Sequence, residues 1–147
     1  QTIREIISIT PSSSMKKDII IPEISDVEMA IVYEYNTIYN TNDWNVYLVN
    51  NNSFRLEMMV IVSKGFGDKN ISSVMRKKID VLDAHSFAKI EWIQPDLFKL
   101  TNQFQVTFFV KDRLYDKTFT FKENTIKEGA LRMIPELKKR GIISKQE

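Results

Sequence analysis

The chain has 147 residues, 43% apolar, 27% charged and 11% aromatic, with no cysteine, one histidine and a net charge of +2. One histidine and no thiol exclude a Cys/His zinc site, a cysteine nucleophile and a disulfide framework. The apolar share is that of one globular unit with its own core.

No window reaches the roughly 18 apolar residues of a membrane-spanning helix. The expectation is therefore no membrane partner, and the lack of cysteine suits the cytoplasm. Near the N-terminus, Arg4 and Glu5 interrupt the isoleucines, so no signal-peptide core develops. After Ser12, Ser13 and Ser14, the run Met15-Lys16-Lys17-Asp18 reads like a natural start. Residues 1–14 are expected to be an upstream extension, with an ordinary strand over residues 2–10 as the alternative. Residues 15–147 are expected to form a single domain, since no repeat, low-complexity stretch or linker divides them.

Period-two alternation then dominates and predicts strands. Val27, Met29, Ile31, Tyr33 and Tyr35 share one face, with Glu28 and Glu34 on the other. Trp44, Val46 and Leu48 repeat the pattern. Residues 56–62 are apolar on both faces except at Glu57, as in a central strand of a two-layer structure. Polar turns are expected at residues 50–53 and 64–70. Ala88, Ile90 and Trp92 oppose Lys89 and Glu91. Phe104, Val106, Phe108 and Val110 oppose Gln105 and Thr107. After the turn Lys111-Asp112-Arg113, Phe119 and Phe121 oppose Thr118, Thr120 and Lys122, which makes these two runs the best hairpin in the sequence.

Near the C-terminus the pattern turns helical. Thr125-Ile126-Lys127-Glu128 has capping-box spacing, and Ile126, Ala130, Met133, Ile134 and Leu137 follow at helical intervals. Lys138, Lys139 and Arg140 suit the negative end of a helix dipole, Gly141 suits a left-handed cap, and Pro135 implies a kink. The predicted fold is mainly β: an immunoglobulin-like antiparallel β-sandwich of about seven to nine strands with one C-terminal α-helix.

Chemistry is sparse. No P-loop or nucleophile elbow is present, and Gly65-Phe66-Gly67 reads as a hairpin tip. Asp83, His85 and Ser86 stand too close in sequence to converge as a triad and read as a turn. Asp80 and Asp83 lack the further acidic ligands of a calcium loop. Glu91 and Asp96 flank Trp92 and Pro95, as in a glycosidase cleft, but a strand ending at a proline explains them with less assumption. No catalytic, metal or cofactor residue is assigned, and the chain is read as not an enzyme.

Charge is uneven, −3 over residues 1–73 and +5 over residues 74–147. The triplets Arg76-Lys77-Lys78 and Lys138-Lys139-Arg140 are candidate phosphate contacts. The first alternates between strand faces, and the helix end accounts for the second. Tyr35, Tyr39, Phe54, Phe66 and Phe109 are the aromatics that fall off the core-facing pattern. Phe109 is read as a second core layer. The loop over residues 64–70 together with Phe54 is the candidate partner surface, with Phe54, Lys64, Phe66 and Lys69 as its contacts. Lys138, Lys139 and Arg140 are the candidate RNA-binding residues.

Met15-Lys16-Lys17-Asp18-Ile19-Ile20-Ile21-Pro22-Glu23, Trp44-Asn45-Val46-Tyr47-Leu48-Val49-Asn50, Val62-Ser63-Lys64-Gly65, residues 104–109 and Leu114-Tyr115-Asp116-Lys117 resemble a family of short uncharacterised bacterial proteins. The resemblance runs from Met15 to about Gly141. Some members carry the label of a phenylalanyl-tRNA synthetase subunit, which implies at most a translation context. The ATP-binding motifs of a class II synthetase core have no counterpart in this chain, so no functional residue is carried over.

The leading expectation is a non-enzymatic module for protein interaction or self-association. The alternative is an RNA- or tRNA-associated accessory factor in translation. An enzyme built from carboxylates and lysines is the third reading.

Overall fold

A computed structural model of the chain describes residues 24–68 and 74–146. The expected boundary after residue 14, like Lys69, lies outside the described residues. Within them the protein is mainly β, with ten strands: β1 (Val27–Asn36), β2 (Thr41–Asn50), β3 (Leu56–Phe66), β4 (Met75–Leu82), β5 (Ser86–Trp92), β6 (Thr101–Val110), β7 (Arg113–Phe121), β8 (Arg132–Ile134), β9 (Lys139–Ile143) and β10 (Lys145–Gln146). They form two antiparallel five-stranded sheets, ordered β5-β2-β1-β9-β8 and β10-β7-β6-β3-β4. No helix of the described residues is long and apolar enough to cross a membrane.

The alternation explains why the sheets meet. Met29, Ile31, Val46 and Leu48 of the first sheet and Met59, Ile61, Phe104, Phe108 and Phe119 of the second fall in one buried cluster. Successive side chains of a strand point to opposite faces, so each sheet offers one such set. Each fully buried phenylalanine contributes about 2–3 kcal/mol. β3 lies between β6 and β4, as its apolar run predicts. It carries a bulge at Met58, where φ is 50° and the register against β6 shifts. The turn after β2 crosses between the sheets, and the buried Asn50 fixes it by donating to the Phe54 and Asp83 carbonyls at 2.8 and 2.9 Å.

The predicted C-terminal helix is not formed. Its segment is a short 3-10 turn, Glu128–Ala130, followed by the β8–β9 hairpin. The Thr125 hydroxyl donates backward to the Lys122 carbonyl at 2.6 Å instead of capping a helix. Pro135 has no N–H to continue a helix and stands in the hairpin turn, which Lys138 closes with φ of 55° and a 2.8 Å bond to the Ile134 carbonyl. Ile134 and Leu137 are buried all the same, packed with Ala30, Val32, Tyr47 and Val49 on the outer face of the first sheet. Met133, expected beside them, is exposed. Gly141 is not a cap but a β9 residue opposite Val32. A Cβ there would stand 2.7 Å from the Ile31 carbonyl oxygen, so glycine is what lets β9 approach β1.

Candidate functional site

The β1–β2 hairpin tip is tied together by short polar side chains. The Asn36 side-chain oxygen accepts the Ile38 and Tyr39 amides at 2.9 and 3.2 Å. Its amide nitrogen donates to Asp43 Oδ2 at 2.9 Å, and Thr41 donates to Asp43 Oδ1 at 2.9 Å. Tyr35 donates its hydroxyl to the side chain of Asn40, itself at φ 55°, at 2.7 Å. Such local side-chain bonds hold the tip without a core beneath it. The tip displays Ile38 and Tyr39 at 79% and 74% exposure.

Trp92 joins them from β5. The β2–β5 register slips between Val46 and Tyr47, which face Glu91 and Lys89, leaving Ile90 as the extra residue of a bulge. Ile90 is buried, whereas Trp92 faces Asn45 and is 56% exposed. The strict alternation that sets Ala88, Ile90 and Trp92 on one face is thereby corrected, because one inserted residue moves every later side chain to the opposite face.

Two clefts share Glu91 and Trp92 as walls. One, of about 600 Å³, lies between the hairpin tip, β5 and Lys77 of β4, with Asp43, Asn45 and Lys89 in its lining. The other, of about 390 Å³, includes Lys64, Gln94, Asp96 and Asn102. Burial pushes the Glu91 carboxyl above its ordinary range, and the nearby Lys77 charge opposes the shift.

A polar cluster on the outer face of the first sheet adjoins the larger cleft through Asn45. Glu34 accepts from the Tyr47 hydroxyl at 2.6 Å, Asn45 at 2.8 Å and Lys139 at 2.9 Å. Burial works to raise its pKa, but these bonds and the Lys139 charge outweigh burial and hold the carboxylate below its ordinary value. Burial, then the Glu34 bond and charge, push the Tyr47 phenol up. The Asp83–Ser86 segment is the expected turn: Ser86 donates to the Asp83 carbonyl at 2.7 Å, and His85 has φ of 50°. Among the described residues, no three His, Cys, Asp or Glu side chains gather as a metal site would need.

The residues singled out from the sequence are dispersed. Lys64 lines the second cleft, with its ammonium 5.7 Å from the Phe66 ring centroid, so these two lie together. Phe66 is half-buried at the end of β3, and Phe54, also half-buried against the core, precedes its start. The eleven residues of β3 separate the two phenylalanines and place them towards its opposite ends. Lys138 is exposed in its turn, whereas Lys139 is held by Glu34 and lies 5.9 Å from the Tyr47 ring centroid. Arg140 follows Lys139 in β9, so the two point to opposite faces. Phe109 is half-buried in β6.

Lys89 and Asn45 are contributors that sequence reasoning missed, while Lys77 stood out only within its basic triplet and Trp92 only between two carboxylates. The spacing of Glu91 and Asp96 about Trp92 was the available signal, and both carboxylates do line the second cleft. Comparison with family models, curated proteins and solved structures finds no match, so these clefts rest on their own geometry and chemistry.

Proposed function

We propose that the chain is a non-enzymatic interaction module that holds a partner at the Tyr39–Trp92 end of its first sheet. The observation that carries this reading is the display of Ile38, Tyr39 and Trp92 to water on a hydrogen-bonded tip beside a bulged strand. Large aromatic side chains presented on a rigid support are the residues that dominate binding energies, and a tip that is already ordered loses little entropy on contact. The partner in this reading is another protein or a second copy of the chain. The two sheets serve as an immunoglobulin-like scaffold in the sense that matters here, a rigid layered core displaying its connections at the ends. An RNA-binding role for the C-terminal basic triplet is less well supported, because Lys139 is committed to Glu34 and Arg140 faces away from it.

Trp92→Ala and Ile38→Ser test the proposal. Each is expected to change folding stability by no more than about 0.5 kcal/mol, as exposed substitutions do. Each should also weaken self-association in sedimentation, or nuclease-resistant capture of a protein partner. Variants that melt much earlier yet associate as before would overturn it.

A further inference from the structure

We propose that the larger cleft beside Trp92 is a binding site for a neutral carbohydrate chain. This rests on reading the Tyr39–Trp92 end as a recognition surface and names the chemistry that its cleft takes, so that the partner is one presenting a glycan.

Charge narrows the ligand first. Lys77 and Lys89 are matched in the lining by Asp43 and Glu91, two cations against two anions. A phosphate or a nucleic-acid backbone gains its affinity from uncompensated cations and would meet both carboxylates here. Polarity narrows it further. Seven of the ten lining residues are Asn, Thr, Asp, Lys or Glu, yet most of the surface they and their neighbours present to the cleft is apolar carbon, so the lining suits a ligand that is itself both apolar and polar.

What remains is a ligand with an apolar face and a rim of groups that both donate and accept, which describes a pyranose ring. Trp92 and Tyr39 supply flat aromatic surfaces at the cleft. Asp43 is held by Asn36 and Thr41 through one bond to each carboxylate oxygen, and each oxygen keeps acceptor capacity for a sugar hydroxyl. Asn45 is fixed by its bond to Glu34. Lys77 and Lys89 add donors from the facing strands. Because the protein's own bonds set Asp43 and Asn45 before any ligand arrives, these two favour a ligand whose hydroxyls have fixed directions.

Tryptophan fluorescence gives a local readout, since Trp44 is buried and Trp92, the other tryptophan of the chain, is exposed. The probes are hexasaccharides of β-1,4-glucose, α-1,4-glucose and β-1,4-N-acetylglucosamine, with glucose 6-phosphate and a hexanucleotide as charged controls. At least one neutral hexasaccharide should shift Trp92 emission saturably and protect it from acrylamide quenching, while the charged controls do not. Calorimetry of Trp92→Ala should show affinity for that sugar reduced by about tenfold or more, with Trp92→Phe intermediate. Circular dichroism and thermal melts establish that both variants are folded.

Absence of binding by every neutral sugar, equal binding by Trp92→Ala, or preference for the phosphate or the nucleotide would each overturn the carbohydrate proposal. Sedimentation and capture with Trp92→Ala in the absence of sugar separate that failure from failure of the interaction reading. If this variant no longer associates with a protein while the parent binds no sugar, the glycan is refuted and the interaction surface stands.

Discussion

The β6–β7 and β8–β9 hairpins are both antiparallel pairs beside other strands, yet they hold their shape for different reasons. β6 and β7 match over nine residue pairs and turn through Lys111 and Asp112, with Lys111 at φ 58°. Phe104, Val106 and Phe108 alternate strictly into the core, so local pattern and tertiary burial agree along the whole length. β8 and β9 match over three pairs only. Their conformation comes from neighbours, with Gly141 pressed against β1 and Ile134 and Leu137 folded over the outer face of the first sheet. A long pairing specifies itself, while a short one is specified by what it lies on.

Four measurements break or sharpen that contrast. Phe108→Ala in the self-specified hairpin should cost about 4 kcal/mol in urea denaturation, because a wholly buried ring leaves a cavity between two rigid sheets. Gly141→Ala should cost about 2–3 kcal/mol, the penalty for forcing a methyl group into a closed contact. A cost well under 1 kcal/mol would mean that β9 does not lie against β1 as described.

Glu34→Gln tests the polar tie between β9 and its neighbours and should cost about 1.5 kcal/mol near neutral pH, as removal of a charge-assisted bond does. The sign of its pH dependence follows from the lowered pKa. The Glu34 contribution is complete above the ordinary value of 4.5 and is lost as pH falls through the lower folded-state value. Melting temperature should therefore fall less steeply on acidification in the variant than in the parent. Lys111→Asn, at the left-handed turn position of the β6–β7 hairpin, should change stability by no more than about 0.5 kcal/mol, in the favourable direction.

The same contrast sets how much was legible in the sequence. β1, β2, β3, β6 and β7 are legible because each runs for nine or more residues and turns an alternating set of side chains into the shared core, although β1, β2 and β7 bury residues on the other face as well. The 126–141 segment misleads because Ile126, Ile134 and Leu137 are buried at intervals that a helix also produces, and a three-residue strand is too short to show its own period. At the candidate site, Tyr35 and Tyr39 stand out as aromatics away from the core pattern, and they are exposed. Trp92 does not, because a bulge leaves no mark in composition, and counting by twos past Ile90 puts the indole on the wrong face. Grouping Phe54 with Phe66 treats both as turn residues and overlooks the length of the strand between them.

The basic triplet Arg76-Lys77-Lys78 lies on β4, which ends the second sheet. An outer strand carries backbone groups that any other extended chain can pair with, and such pairing starts fibrils. Charged residues down this border oppose stacking of one molecule's β4 on another's, while β8, at the border of the first sheet, is only three residues long and offers little template. Strand pairing between copies is thereby discouraged along these two borders. Neutralising the triplet is expected to leave the fold intact and to show itself as loss of the protein from concentrated solution.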